Sequence, residues 1–360
     1  MSFLEITLLA SFAYLIFLSL IMRYSSLDKI IIYSLALIIC WFSSHQYLIW
    51  NPVDYTQYKY IFENFPVSFY SIFFLGHEPG FNLMIVIYKS LGINFEFFIF
   101  TMALFTFYGV VRLAELFGND RLIILLSLIT LVVFFNITFN LYRQGVAASL
   151  VLLALISHEH TYKKLLIVSC AALFHISALV MLPYFFIQNK KSDMLLVFMM
   201  ILSSTFFLLK IDNLILYSVS TISSLTDAVP YSSFSRVEQN VMSNNGIFYA
   251  YRSYFFLSII LVLLFAFKHK NLANRVKIIS LGMQWRLINF LAYGVLIYSA
   301  TYSIGSLSRL GIYSYLIIPI IIFLVSNLFF NHRTSKIILV CFSCFSLAGL
   351  FLVKNLFITL

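Results

Sequence analysis

Apolar runs long enough to cross a lipid bilayer recur along almost the whole chain, and nothing else in the sequence constrains its fold as strongly. An α-helix rises 1.5 Å per residue, so crossing about 30 Å of hydrocarbon takes roughly 17–25 residues. Runs of that kind lie at 3–22, 30–49, 96–116, 122–141, 163–187, 248–267, 287–304, 310–330 and 337–357. Shorter runs at 144–157 and 193–209 can be extended by Arg143 and Lys210 lying at an interface. A further run, 80–91, is too short to span and reads as re-entrant or interfacial. Backbone polar groups in hydrocarbon need partners within their own segment, which helices supply. The reading is therefore all-α: a polytopic transmembrane helix bundle of about 10–12 helices, forming a single integral membrane domain over residues 1–360.

The charges agree with that reading. Charged residues make up 10% of the chain, against about 25% in soluble domains. The net charge of +10 is not a nucleic-acid signal. Much of it lies in short loops, at Lys268, Lys270, Arg275, Lys277, Arg286, Arg333 and Lys336, which marks those loops as cytoplasmic. The connections 50–79, which is net acidic, and 211–247, which is rich in Ser, Thr, Asn and Tyr, then read as external loops. Working outward from His158–Lys164 as a cytoplasmic loop puts Arg143 on the external side, and the 305–309 turn places Arg309 there too. These assignments require an odd number of crossings between 164 and 248, where the sequence offers two clear helices. A partial helix, or a third segment within 211–230, would close the count. The run Phe3–Met22 lacks a basic start and carries Glu5, so it reads as a retained first helix rather than a cleaved signal.

Several chemistries find no motif. There is no phosphate-binding Gly-rich loop, no dinucleotide fingerprint, no paired-Asp motif for a metal-bound sugar nucleotide and no zinc-protease helix. No cofactor and no metal site is expected. The four cysteines, Cys40, Cys170, Cys341 and Cys344, lie in apolar runs and read as packing residues.

What remains is a small set of charged and polar residues at membrane depth or beside it. Arg143 is the one charged side chain between Leu122 and Ser157. A guanidinium cannot shed its proton, and keeping it near hydrocarbon costs several kcal/mol unless something anionic or dipolar meets it. Asn136, Asn140 and Gln144 accompany it at spacings of four, which suggests a site for an anion; phosphate oxygens match the planar fork of Arg. Arg309 is either a second such cation or an interfacial anchor, and two guanidiniums together could clamp a diphosphate. Arg252 is a further external cation that also fits the flank of an apolar helix. His175 falls within the apolar run 163–187, where an ionisable group is a functional candidate.

The 50–79 connection carries Asp54, Tyr55, Tyr58 and Glu78 among many aromatics. Such rings suit either an interfacial belt or stacking on a sugar. Asp54 or Glu78 could accept a proton from a hydroxyl. Glu78 precedes Pro79 and so equally fits a helix start, where a carboxylate favours the dipole.

Taken in order, Asp54-Tyr55…Tyr58…Phe62, Glu78-Pro79-Gly80-Phe81, Asn140…Arg143-Gln144…Ala147, Phe174-His175-Ile176-Ser177-Ala178…Pro183 and Arg309-Leu310…Tyr313 resemble the EpsG family of exopolysaccharide polymerases, a branch of the Wzy-type O-antigen and capsule polymerases. The resemblance covers about Asp54 to Pro319, and 188–247 matches nothing in it. It implies a GT-C-like membrane glycosyltransferase in the bacterial cytoplasmic membrane, multi-pass, with its active site facing the periplasm or outer side. The implied reaction moves a glycan from undecaprenyl diphosphate to a sugar hydroxyl on another lipid-linked repeat unit. Donor, acceptor and membrane lipid are then its partners, and a chain-length regulator is a further candidate. Arg143 and Arg309 would stabilise the departing diphosphate, and Asp54, Glu78 or His175 would take the acceptor proton. Asn140, Gln144, Tyr55, Tyr58, Tyr313 and Arg252 would contact substrate. A lipid-linked oligosaccharide flippase needs the same cationic cavity without an acid–base group. An O-antigen ligase-like polyprenyl-phosphate glycosyltransferase would differ in its acceptor.

Overall fold

The structure, a computed structural model, describes residues 25–46, 53–74, 76–188, 193–211, 255–263, 279–301 and 309–358. Among these every regular element is a helix, in agreement with the all-α reading. The apolar run 3–22 and most of the 211–247 connection lie outside the described residues. The chain divides into two compact units, Met1–Phe186 and Ile187–Leu360.

In the first unit the helices are α1 (Ser25–Ser44), α2 (Val53–Asn64), α3 (Phe69–Phe74), α4 (Pro79–Ser90), α5 (Phe95–Glu115), α6 (Arg121–Ile129), α7 (Val132–Phe139), α8 (Tyr142–Ile156) and α9 (Thr161–Ala172). A 3-10 helix over Ile176–Met181 and the short α10 (Tyr184–Ile187) follow. Helix α5 is central, with α1 and α8 packed against it, and α9 packs on α8. Small residues make the α5–α8 approach close. A Cβ on Gly109 would lie 2.6 Å from the Cα of Ser149, and one on Gly145 would lie 2.5 Å from Thr106 Oγ1. Without a hydrophobic drive between helices in lipid, close contact of this kind is what holds them together. The far side of α5 exposes Phe97, Leu104, Phe105 and Tyr108, spaced at helical intervals, as suits a surface that meets lipid.

The 50–79 connection is not an open loop. It folds into α2 and α3, because Tyr55, Phe62 and Phe65 bury their rings beside Phe95 and Phe98 of α5. Asn82, completely buried, ties the return of the chain by donating to the carbonyls of Ile72 and His77, both at 3.0 Å. Lys89 donates to the carbonyls of Glu63 at 2.8 Å and Phe65 at 2.7 Å, closing the C-terminal end of α2.

Three apolar runs that read as single helices are broken, two of them in the first unit. The run 122–141 divides into α6 and α7, bent by 72°. Ser127 Oγ donates to Ile123 O, Thr130 Oγ1 donates to Ser127 O, and Leu131 turns extended at ψ 137°. Local side-chain bonds of this kind compete with the helical ladder. A second break follows at Asn140 and Leu141, whose N–H groups both reach Asn136 O. The run 163–187 ends its α-helix at Ala172, and His175 is extended (φ −155°, ψ 116°) at the start of the 3-10 helix. Pro183, lacking an N–H, keeps that segment from resuming as one long helix.

In the second unit α11 (Asp193–Leu208) packs on α12 (Leu281–Thr301). A helical stretch at 255–263 lies between them in sequence. The 3-10 turn Arg309–Gly311 and α13 (Ile312–Tyr315) lie on α12, and α14 (Ile318–Phe329) packs on α15 (His332–Ile358). Run 310–330 is also interrupted, at Pro319 in the first turn of α14, where the ring excludes a continuous helix through Tyr315. Among the described residues one helix, Phe95–Glu115, is long and apolar enough to cross a membrane alone, or two if the bent pair 118–139 is a single span. Segments such as Tyr142–Ile156, Met194–Leu208 and Ile318–Phe329 are shorter apolar helices.

The α5–α8 seam gives a stability prediction. Gly109→Val should lower the thermal stability of the detergent-purified protein by about 1–3 kcal/mol through overpacking. Gly282→Ala, where a Cβ meets nothing within 4 Å, should not lower it. Unchanged melting of the Gly109 variant would refute the close approach.

Candidate active site

The helix breaks decide where the polar residues of the first unit go. Because the chain turns at Asn140 and Leu141, Arg143 occupies the first turn of α8. The spacing of Asn136, Asn140 and Gln144 is therefore not carried on one helix face. Asn140 Nδ2 instead donates to Asn136 Oδ1 at 3.2 Å, and Gln144 is buried. Arg143 extends toward α2 and the start of α4.

There it meets Glu78. The carboxylate Oε2 accepts from Arg143 Nη1 in a close ion pair, with the two side chains 16% and 23% exposed. The other oxygen, Oε1, accepts from the backbone N–H of Ile176 at 3.3 Å. Glu78 thus joins three segments: its own position at the N-cap of α4, the first turn of α8, and the start of the 3-10 helix. This bridge depends on Gly80, whose N–H donates to Leu173 O at 2.7 Å. A Cβ there would sit 2.8 Å from that same oxygen, so only glycine lets α4 approach the end of α9 this closely.

Aromatic rings frame the pair. The Arg143 guanidinium carbon lies 5.5 Å from the Phe81 ring centroid and 6.0 Å from that of Tyr58, within the range where a ring face attracts a cation. Arg143 Nε donates to Tyr58 Oη at 3.4 Å, and Nη1 lies 3.4 Å from His77 Nδ1. Among the described residues Nη2 takes no hydrogen bond. Tyr58 stands edge-on to Tyr142 at 5.2 Å. The Tyr142 hydroxyl accepts from Gln46 Nε2 at 2.6 Å, fixing the start of α8 to the end of α1.

The charges of this cluster shape one another. Burial favours protonation of Glu78, but the Arg143 charge, backbone N–H bonds and the nearby His175 outweigh it and hold the carboxyl below its usual range. His77 is held below its usual range by burial first and then by Arg143, against the opposing pull of Glu78. Burial raises the Tyr58 phenol, so it stays protonated beside Arg143. His175 Nδ1 accepts from the Ser177 N–H at 3.3 Å and lies 2.7 Å from Ser177 Oγ.

The remaining residues singled out in the sequence are spread more widely. Asp54, in the first turn of α2, lies one turn before Tyr58 and within reach of it electrostatically. Tyr55 is buried and donates to Ser44 O at 2.7 Å, holding α2 on α1. In the second unit Tyr313 is completely buried. Arg309 opens a 3-10 turn and its side chain lies outside the described residues, as does all of Arg252. Cys40 is buried and Cys170, Cys341 and Cys344 are exposed, all as free thiols. Among the described residues no group of three or more His, Cys, Asp or Glu is placed to hold a metal ion. His77, Phe81 and Ser177 join the site without having been singled out; their signal was adjacency to Glu78 and His175 in the motifs already quoted.

A profile of the EpsG family matches residues 29–357, nearly the entire chain. The chain belongs to the EpsG family. This is a Wzy-type polysaccharide polymerase family of membrane proteins, so polysaccharide polymerisation is the broad role of the chain. No significant match was found among curated proteins or solved structures. The EpsG match encloses Glu78, Arg143, His175 and Arg309 alike. Within it, the first unit assembles a carboxylate, a guanidinium, two imidazoles and a phenol at the junction of four helix ends.

The histidine beside the ion pair gives a pH dependence. Because His77 in the folded protein binds a proton less readily than its usual 6.5, acidification through that range favours the unfolded chain. The Glu78 contribution is present above the usual carboxylate range and is lost as pH falls through its own lowered value. The melting temperature of the purified protein should therefore fall as pH drops from 8 to 5. In His77→Gln the part of that fall near the usual histidine range should disappear. An identical pH profile in the variant would remove His77 from the charged cluster.

Proposed function

We propose that this EpsG-family chain transfers a glycan from an undecaprenyl diphosphate donor to a sugar hydroxyl of another lipid-linked repeat unit, on the outer face of a bacterial cytoplasmic membrane. The observation that carries this reading is the partly buried Arg143–Glu78 pair, set among aromatic rings, with one guanidinium nitrogen unclaimed among the described residues. A diphosphate leaving group gains charge as the glycosidic bond breaks, and a preplaced guanidinium stabilises that charge best where water is scarce. Rings of Tyr58 and Phe81 offer faces on which sugar C–H surfaces stack.

In this reading the acceptor oxygen bonds to the anomeric carbon of the donor. The bond from that carbon to the diphosphate oxygen breaks, and its electron pair leaves with undecaprenyl diphosphate. The acceptor proton passes to a carboxylate. Glu78 suits that role better than His175, because the Ser177 N–H already engages Nδ1 of that ring. Asp54 lies one helical turn from Tyr58 and is the second carboxylate of the site.

The experiment supplies detergent-purified protein with a lipid-linked repeat unit and follows chain length and release of undecaprenyl diphosphate. Arg143→Lys should insert normally yet lose on the order of 10²-fold or more in polymerisation, the usual cost of removing one such donor. A lysine nitrogen cannot serve Glu78, Tyr58 and a phosphate at separate positions. Wild-type polymer from that variant would take Arg143 out of the reaction. Movement of the lipid across a vesicle bilayer without a new glycosidic bond would identify a flippase instead.

A further inference from the structure

Arg143 is already paired before any substrate arrives, which a simple cationic receptor for diphosphate would not require. The fork of a guanidinium grips a phosphate through two neighbouring nitrogens. Here Nη1 is held by Glu78 and faces His77 Nδ1, while Nε points to Tyr58; Nη2 alone is unclaimed among the described residues. A two-pronged grip therefore has to displace either the phenol or the carboxylate. A diphosphate brought alongside Nη1 would also stand next to Glu78, and two anions at that range repel.

We propose that the Glu78–Arg143 ion pair is a latch that the donor diphosphate opens, so that Glu78 becomes available to the acceptor hydroxyl only when a donor is bound. The inference rests on the polymerase reading and adds to it an order of events. Geometry keeps the released carboxylate in place: Oε1 still accepts from Ile176 N–H, and its backbone still caps α4. With the Arg143 charge turned to the diphosphate, burial, already the largest single influence on Glu78, loses its main opponent and favours its taking a proton. The groups around it are Arg143 and Tyr58 on α8 and α2, His77 beside it in sequence, and His175 at the start of the 3-10 helix. The latch would also keep the site from activating water on an unoccupied enzyme, since the carboxylate is engaged until a donor is bound.

The test uses inorganic pyrophosphate as the probe, titrated into the full-length purified protein, alongside the polymerisation assay. Glu78→Gln removes the competing charge and should bind pyrophosphate about tenfold or more tightly than the wild type, while its turnover falls at least about 100-fold. Glu78→Asp keeps the charge on a shorter arm and should fall between the two in affinity. Glu63→Gln, which removes an exposed carboxylate paired with Lys59, should change neither quantity. Pyrophosphate binding by Glu78→Gln that is no tighter than wild type overturns the latch, as does an Asp variant that binds more weakly than wild type. A wild-type protein that lengthens no chains sinks the polymerase reading itself, whatever the order of pyrophosphate affinities.

Discussion

A partly buried guanidinium needs an anionic or dipolar partner, and Arg143 finds one in Glu78, 65 residues away in sequence. Meeting this requirement organises the first unit. Glu78 can reach Arg143 because α4 begins there, and α4 can begin there because Gly80 lets it lie against Leu173. Arg143 in turn is available because the chain breaks at Asn140 and Leu141 and starts a new helix. The α5–α8 seam, built on Gly109 and Gly145, holds that new helix closely against α5.

The same bridge brings together groups that carry chemistry. Glu78 and Arg143 are ionised and share their charge, His77 stays neutral, and the phenol of Tyr58 stays protonated. The cluster is thus close to electrically balanced as it stands. An incoming anion changes that balance, and the direction of the change suits a carboxylate that acts once its partner has been taken. This is the physical basis for reading the pair as working machinery rather than as a static cross-link. A purely structural ion pair at this depth would contribute little net stability, given what it costs to desolvate both ions.

Parts of this were legible in the sequence. The isolation of Arg143 among apolar residues marked it, since a permanent cation there demands a partner. Glu78 followed by Pro79 marked a helix start, and the structure has Glu78 at the N-cap of α4. Tyr58 and Glu78 stood in the same net-acidic connection, and both lie against Arg143. Asn136, Asn140 and Gln144, at spacings of four, do not line one helix face, for a local reason. Spacings of four share a face only while the helix continues, and two N–H groups converging on Asn136 O end it. His175 likewise left its expected place in a span, because Ser177 bonds to its ring and stabilises an extended backbone.

By itself the sequence determined that the chain is helical and apolar, which residues are ionisable at depth, and to which family it belongs. Those properties follow from composition, from the length of apolar runs and from short ordered motifs. Tertiary structure alone decided the breaks inside those runs, since the apolar run continues on both sides of Thr130 and of His175. It alone decided which acid faces which base. Pairing between residues 65 and 98 positions apart depends on how helix ends dock, and docking is set by contacts such as Gly80 on Leu173 that leave no periodic trace in the chain.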